Sequence, residues 1–191
     1  MADADVESEE EEEETKENPL KMLWNNPGAL YPTLGSSFRF IQMWAIDYFY
    51  PAFMLIAYPQ HKSKYLVLQA LSIATTGLIS AVSGGIMADR WGKSSYAKIC
   101  LWGSALAWPC CVIGLLTTSN FTLAITMLFG RYLLGENFWA PNLSMIQQSC
   151  KPKDVGKYIG AYQFFNITAG CLSTMVVGAL VNYFGVTTSA A

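Results

Sequence analysis

Residues 65–93 read YLVLQALSIATTGLISAVSGGIMADRWGK, and this stretch decides the fold. From Tyr65 to Ala88 there is no charge. Then Asp89, Arg90 and Lys93 arrive together, with Gly85 before them and Gly92 among them. A bilayer core of roughly 30 Å needs about 20 apolar residues as a helix, and this run is long enough. Ile99 to Gly130 and Tyr158 to Ala191 are also free of charge. A transmembrane β-barrel shows alternating segments of about ten residues. These runs are continuous, so the spans are helices, in which every backbone group bonds within its own segment.

Composition points the same way. The chain has 191 residues, is 52% hydrophobic and only 14% charged, and carries a formal net charge of −2. That charge is unevenly placed. Ten acids, Asp3 to Glu17, stand against Lys16 before Asn18, whereas the remainder holds four acids and eleven bases, or +7. A body this poor in charge cannot cover its surface in water, where about a quarter of residues are usually charged. A soluble enzyme and a nucleic-acid binder are excluded, and the class is an integral membrane protein. Cys100, Cys110, Cys111, Cys150 and Cys171 form no CxxC and read as small apolar packers. No metal site is expected.

The chain divides into four parts. Residues 1–18 form an acidic, low-complexity cytoplasmic tail expected to be disordered, because like charges repel and nothing apolar can be buried. Residues 19–35 read as a linker, either a short amphipathic turn on the membrane surface or a plain connection. Residues 36–185 form the transmembrane bundle, and residues 186–191 are a short end. About five spans are expected: Ser36 to Tyr58, Tyr65 to Ala88, Tyr96 to Leu116, Phe121 to Met145 and Gly156 to Phe184. Lys and Arg in short loops mark the cytoplasmic side. Lys16, Lys21, Arg39, Arg90, Lys93, Lys98, Lys151, Lys153 and Lys157 fall on one side, Lys62 and Lys64 on the other. The N-terminus is therefore expected in the cytoplasm. Asn120-Phe-Thr122 is a glycosylation sequon on the outer side, and His61 reads as a solvated outer-loop residue.

The stretch Gly85-Ile86-Met87-Ala88-Asp89-Arg90-Trp91-Gly92-Lys93 resembles the signature of the major facilitator superfamily, G-x-L-A-D-R-x-G-R/K-K. It matches at Gly85, Ala88, Asp89, Arg90, Gly92 and Lys93, and departs at Met87 and Ser94. The physics suits a gate: Gly85 lets a second helix approach, and Gly92 permits a tight turn. The resemblance implies that Asp89 faces the N-terminus of a partner helix, here near Gly156, where a carboxylate meets partial positive charge. Arg90 would hold that carboxylate by hydrogen bonds. The plainer reading is a basic loop that sets topology and gates nothing.

Three charges lie inside apolar segments: Asp47 in the first span, and Arg131 and Glu136 in the fourth. An ionisable group at mid-bilayer costs at least about 2.5–3.5 kcal/mol, so each must face protein or a wet cavity. The spacing of Arg131 and Glu136 is poor for an intrahelical pair. Either these residues bind substrate or carry a proton, or an Arg–carboxylate pair between the first and fourth spans locks the bundle. Arg39 is placed near the cytoplasmic end of the first span. Pro51, Pro109 and Pro141 should loosen their helices. Trp44, Trp102, Trp108 and Trp139 line a cavity or face lipid. Gly156, Gly160, Ala161, Ala169, Gly170 and Ser173 give the fifth span a small face for close packing.

Gly130 to Leu180, with Arg131-x-x-x-Gly135-Glu136 and Pro141, a Lys-Pro loop and a small-residue run, resembles spinster-like members of that superfamily. The acidic tail and Ser37-Phe-Arg39 are similar to the central linker entering the seventh span. The resemblance thus implies an all-α polytopic bundle, the C-terminal half of a major-facilitator-type fold without its last span. It implies a secondary transporter, symporter or antiporter, moving a small organic solute or lipid-like amphiphile by alternating access. It needs no cofactor, and its partners would be the bilayer, the substrate and a complementary half or second copy. The other class is a non-transporting structural subunit or a remnant.

Overall fold

The computed structural model describes residues 18–189, with side chains through Phe184. All of the expected acidic tail at residues 1–18 except Asn18, and the last two residues, lie outside that range. Every regular element among the described residues is helical. Helix α1 is Pro19–Asn25 and α2 is Pro27–Ala57. Helices α3, Lys62–Ser72, and α4, Leu78–Trp91, are joined without a loop by a π-helical stretch, Ile73–Gly77. Then come α5, Tyr96–Leu116, and α6, Phe121–Gly135. A 3₁₀ turn, Glu136–Phe138, leads into α7, Trp139–Gln148, and α8 spans Val155–Ser189.

Among the described residues, four helical segments are long and apolar enough to cross a membrane: Pro27–Ala57, Pro59–Trp91, Lys93–Leu116 and Pro152–Phe184. The surface is that of a membrane protein. Phe38, Ile56, Trp102, Trp108 and Leu116 are all exposed, which a water-facing wall would not tolerate in such density. Trp102 and Trp108 therefore belong to the outer face. Trp44 instead packs over Gly170, where an added Cβ would sit only 2.5 Å from its ring.

The expected fourth span is organised differently from the other four. It is two short helices, of 15 and 10 residues, and neither piece is long enough to cross alone. The backbone tightens there rather than turning away, with Glu136 at φ −81°, ψ −6° and Phe138 at φ −67°, ψ −32°. Pro141 supplies the cause: it has no N–H to bond the carbonyl of Asn137 four residues earlier. Pro51 and Pro109 sit inside α2 and α5 without interrupting them.

Residues 19–35, read as an amphipathic turn or a plain linker, hold α1 and the start of α2. Asn18 caps α1, its side chain accepting from the Leu20 N–H at 2.9 Å, and Pro19 sits in the first turn, where its missing N–H costs nothing. Leu23 of α1 is fully buried in a cluster with Ala29, Ile146, Tyr158, Ala161 and Tyr162. Asn26 fastens this end, its amide donating to the Ser149 carbonyl at 2.5 Å and to the Tyr158 hydroxyl at 3.2 Å. Helix α1 is thus docked on α8 and the end of α7.

At the opposite end, the Tyr58 hydroxyl donates to the Thr117 carbonyl. His61, expected to be solvated, stacks on Phe121 with ring centroids 4.4 Å apart. Asn120 of the sequon caps α6, accepting from the Leu123 N–H at 3.1 Å. The chain therefore passes between two ends, with α2 packed most closely on α8 and α5 on α6. The small face of α8 is used in part. Ser173 donates to the Ile41 carbonyl at 2.6 Å, and Gly170 receives Trp44, while Gly156 and Gly160 face open space.

Candidate functional site

Helix α2 and the α6–turn–α7 segment run side by side and bring four charges together. Arg131 Nη2 lies 2.7 Å from Asp47 Oδ1. The Tyr132 hydroxyl donates to the same carboxylate oxygen at 3.2 Å. Toward the other end of α2, Arg39 Nη2 lies 3.6 Å from Glu136 Oε1. Arg39 also donates to the Gly135 carbonyl at 2.5 Å and to Ser104 Oγ at 3.4 Å. Glu136 accepts from Trp139 Nε1 at 2.6 Å through its other oxygen. The two segments run antiparallel, so Arg39 meets Glu136 and Asp47 meets Arg131.

The structure thus brings together Asp47, Arg131 and Glu136, the three charges singled out from the sequence. It adds Arg39, which belongs to the same cluster and not to the helix end. Both guanidiniums are packed over rings, Arg39 at 4.8 Å from the Phe138 centroid and Arg131 at 4.7 Å from that of Tyr132. Burial is unequal. The Arg131 side chain is 8% exposed and that of Asp47 37%. A buried guanidinium needs its countercharge far more than a half-wet carboxylate does. Two buried donors, Arg39 Nε and Arg131 Nη1, have no acceptor among the described residues.

Two cavities flank the cluster and differ in sign. One, about 650 Å³, is lined by Asp47, Glu136, Gln69, Tyr132 and Trp139, and by apolar residues of the π-helical stretch and α4. Neither arginine lines it. The other, about 540 Å³, is lined by Arg39 with Ser36, Gln42, Ser104 and Asn142, and no carboxylate lines it. The ion pairs therefore present their negative ends to one cavity and Arg39 to the other.

The Gly85–Lys93 motif lies apart from this cluster. Gly92 closes α4 at φ +77°, donating its N–H to the Ala88 carbonyl at 3.0 Å, as a glycine-dependent turn requires. Ala88 packs with Tyr96 and Ile99. Asp89, Arg90 and Lys93 are exposed. Asp89 makes no hydrogen bond or ion pair among the described residues, and neither Arg90 nor the start of α8 near Gly156 holds it. The latch implied by the resemblance is not closed in this structure.

The close approach expected at Gly85 occurs one residue earlier. A Cβ on Gly85 would meet Ala140 Cβ at an ordinary 3.6 Å. A Cβ on Gly84 would collide with the Asn137 backbone carbonyl, and one on Gly103 with the Asn137 side-chain oxygen. Asn137 is wedged between α4 and α5 at the 3₁₀ turn. Its carbonyl is the one that Pro141 leaves without a helical donor. The four-residue spacing is legible in the sequence; the meeting of that carbonyl with Gly84 is not.

Compared with known proteins, the chain matches no family model, no curated protein sequence and no solved structure.

Proposed function

We propose that this chain is one half of a secondary membrane transporter of the major facilitator type, spinster-like, with its N-terminus in the cytoplasm. On this reading five segments cross the bilayer, the α6–α7 pair making the fourth crossing. A complementary half, a second copy or another part of a longer chain encloses the pathway. The observation that carries the reading is the crossed pair of ion pairs, Arg39–Glu136 and Asp47–Arg131, set between two cavities in an apolar bundle. Three of the four charges, Arg39, Asp47 and Glu136, line those cavities, where charges that cost several kcal/mol in lipid stay within reach of water or solute. The discontinuous α6–α7 segment beside them is the kind of broken helix that lines transport sites. The cargo is a small organic solute or amphiphile, and the exposed Asp89–Lys93 elbow is the gate in its open state.

The test is uptake into vesicles containing the protein with its completing half, with and without a pH gradient. Asp89→Asn should reduce uptake several-fold at unchanged protein level and melting temperature. Normal uptake by that variant would remove the gating role. A structural subunit is the second reading, favoured by one observation: both inner carboxylates are already paired within the chain. It predicts no uptake of any solute.

A further inference from the structure

The 650 Å³ cavity has a definite chemical preference. Its polar lining consists of two carboxylates, the Gln69 amide and the Tyr132 hydroxyl, with the Trp139 ring beside them. The balancing guanidiniums lie behind this wall. Arg131 is nearly buried, and Arg39 lines the other cavity. The carboxylates are not equivalent. Both oxygens of Glu136 are engaged, by Arg39 and by Trp139. Asp47 directs Oδ1 to Arg131 and Tyr132, while no hydrogen bond from the described residues reaches Oδ2. Asp47 is also the most exposed of the four charged side chains. The opposite wall is apolar, with Ile73, Ala74, Leu78 and Ala81.

We infer that this cavity binds an organic monocation, an ammonium group carried on an apolar body. The ammonium would donate to Asp47 Oδ2 and the Gln69 carbonyl oxygen, with the Trp139 ring supplying cation–π attraction. The apolar body would lie against the π-helical stretch and α4. An anion would meet the negative ends of both pairs and is rejected. The inference rests on reading this face as the transport pathway, and it assigns the substrate class of that site.

Binding and transport are measured separately. Saturable binding to the full chain in nanodiscs is read with three probes of similar shape: radiolabelled phenethylammonium, 3-phenylpropanoate and 2-phenylethanol. The ammonium should bind at least about 10-fold more tightly than the other two, the worth of one charge-assisted hydrogen bond. Asp47→Asn should remove about 10-fold of that affinity. Because this change leaves Arg131 without its countercharge, Ala74→Trp is the second variant; it narrows the cavity from its apolar wall, leaves all four charged residues in place and should weaken binding at least about 10-fold. Equal or tighter binding of the anion or the alcohol overturns the inference. So does absence of saturable ammonium binding, or unchanged binding in Ala74→Trp. Ammonium binding without uptake would sink the transporter reading and leave the site standing. Uptake of other solutes without ammonium binding would do the reverse.

Discussion

Removing either partner of the Asp47–Arg131 pair should destabilise the bundle by unequal amounts. The two side chains are 2.7 Å apart, but Arg131 is 8% exposed and Asp47 37%. Asp47→Ala strands a guanidinium in a dry interior, with Nη1 already lacking an acceptor among the described residues. Stranding a buried charge costs about 3–5 kcal/mol. Arg131→Leu strands a carboxylate that opens on the 650 Å³ cavity. Solvent screening reduces that loss to about 1–2 kcal/mol. Combining Asp47→Ala with Arg131→Leu removes the unpaired charge altogether and should lie near wild type, because apolar replacement of a buried pair is often neutral. At about 3 °C per kcal/mol, Asp47→Ala should melt about 10 °C lower in detergent and Arg131→Leu about 3–6 °C lower. The double variant should fall within about 3 °C of the parent. Thermal unfolding followed by size-exclusion chromatography measures all four proteins. Equal losses in the two single variants, adding up in the double, would refute both the pairing and its lopsided burial.

Three further outcomes follow from the packing. Gly84→Ala should cost about 2 kcal/mol or more, because its methyl overlaps the Asn137 carbonyl, while Gly85→Ala should be neutral or slightly stabilising; melting temperatures separate the neighbours. Gly92→Ala should cost about 1–2 kcal/mol, since φ +77° is unfavourable for any residue with a Cβ, and the loss should appear in the same measurement. Leu23→Ala should cost about 2–5 kcal/mol by emptying the cluster under α1, and it should speed proteolysis before Pro27.

Much of this architecture is written in where charge is absent. Tyr96 to Leu116 was expected as one span and is one helix with those bounds. The Asp47–Arg131 contact was one of two alternatives open for an arginine and a carboxylate in facing apolar segments. Arg39 was misplaced for a physical reason: α2 begins at Pro27, not Ser36, so Arg39 lies about three turns inside the helix. Pro32 lies inside that helix past its first turn, where it forgoes one i→i−4 hydrogen bond without ending the helix. The Asn137 wedge needs tertiary information, because only the neighbouring helices show which carbonyl Gly84 must admit. The π-helical stretch was illegible too. Ile73-Ala-Thr-Thr-Gly77 carries no proline, and its threonine hydroxyls bond back to the carbonyls of Leu71 and Ser72, as they would in an ordinary helix.

That stretch has a consequence for the whole second crossing. A π turn holds one residue more than an α turn, and each residue advances a helix by about 100°. Winding the same residues from Ile73 to Gly77 as plain α-helix would therefore swing α4 about its own axis relative to α3. The groove that now receives Asn137 at Gly84 would point elsewhere, and the Asp89–Lys93 elbow would be carried round with it. The surplus residue acts as a phase setter, fixing which side of the rod the elbow serves.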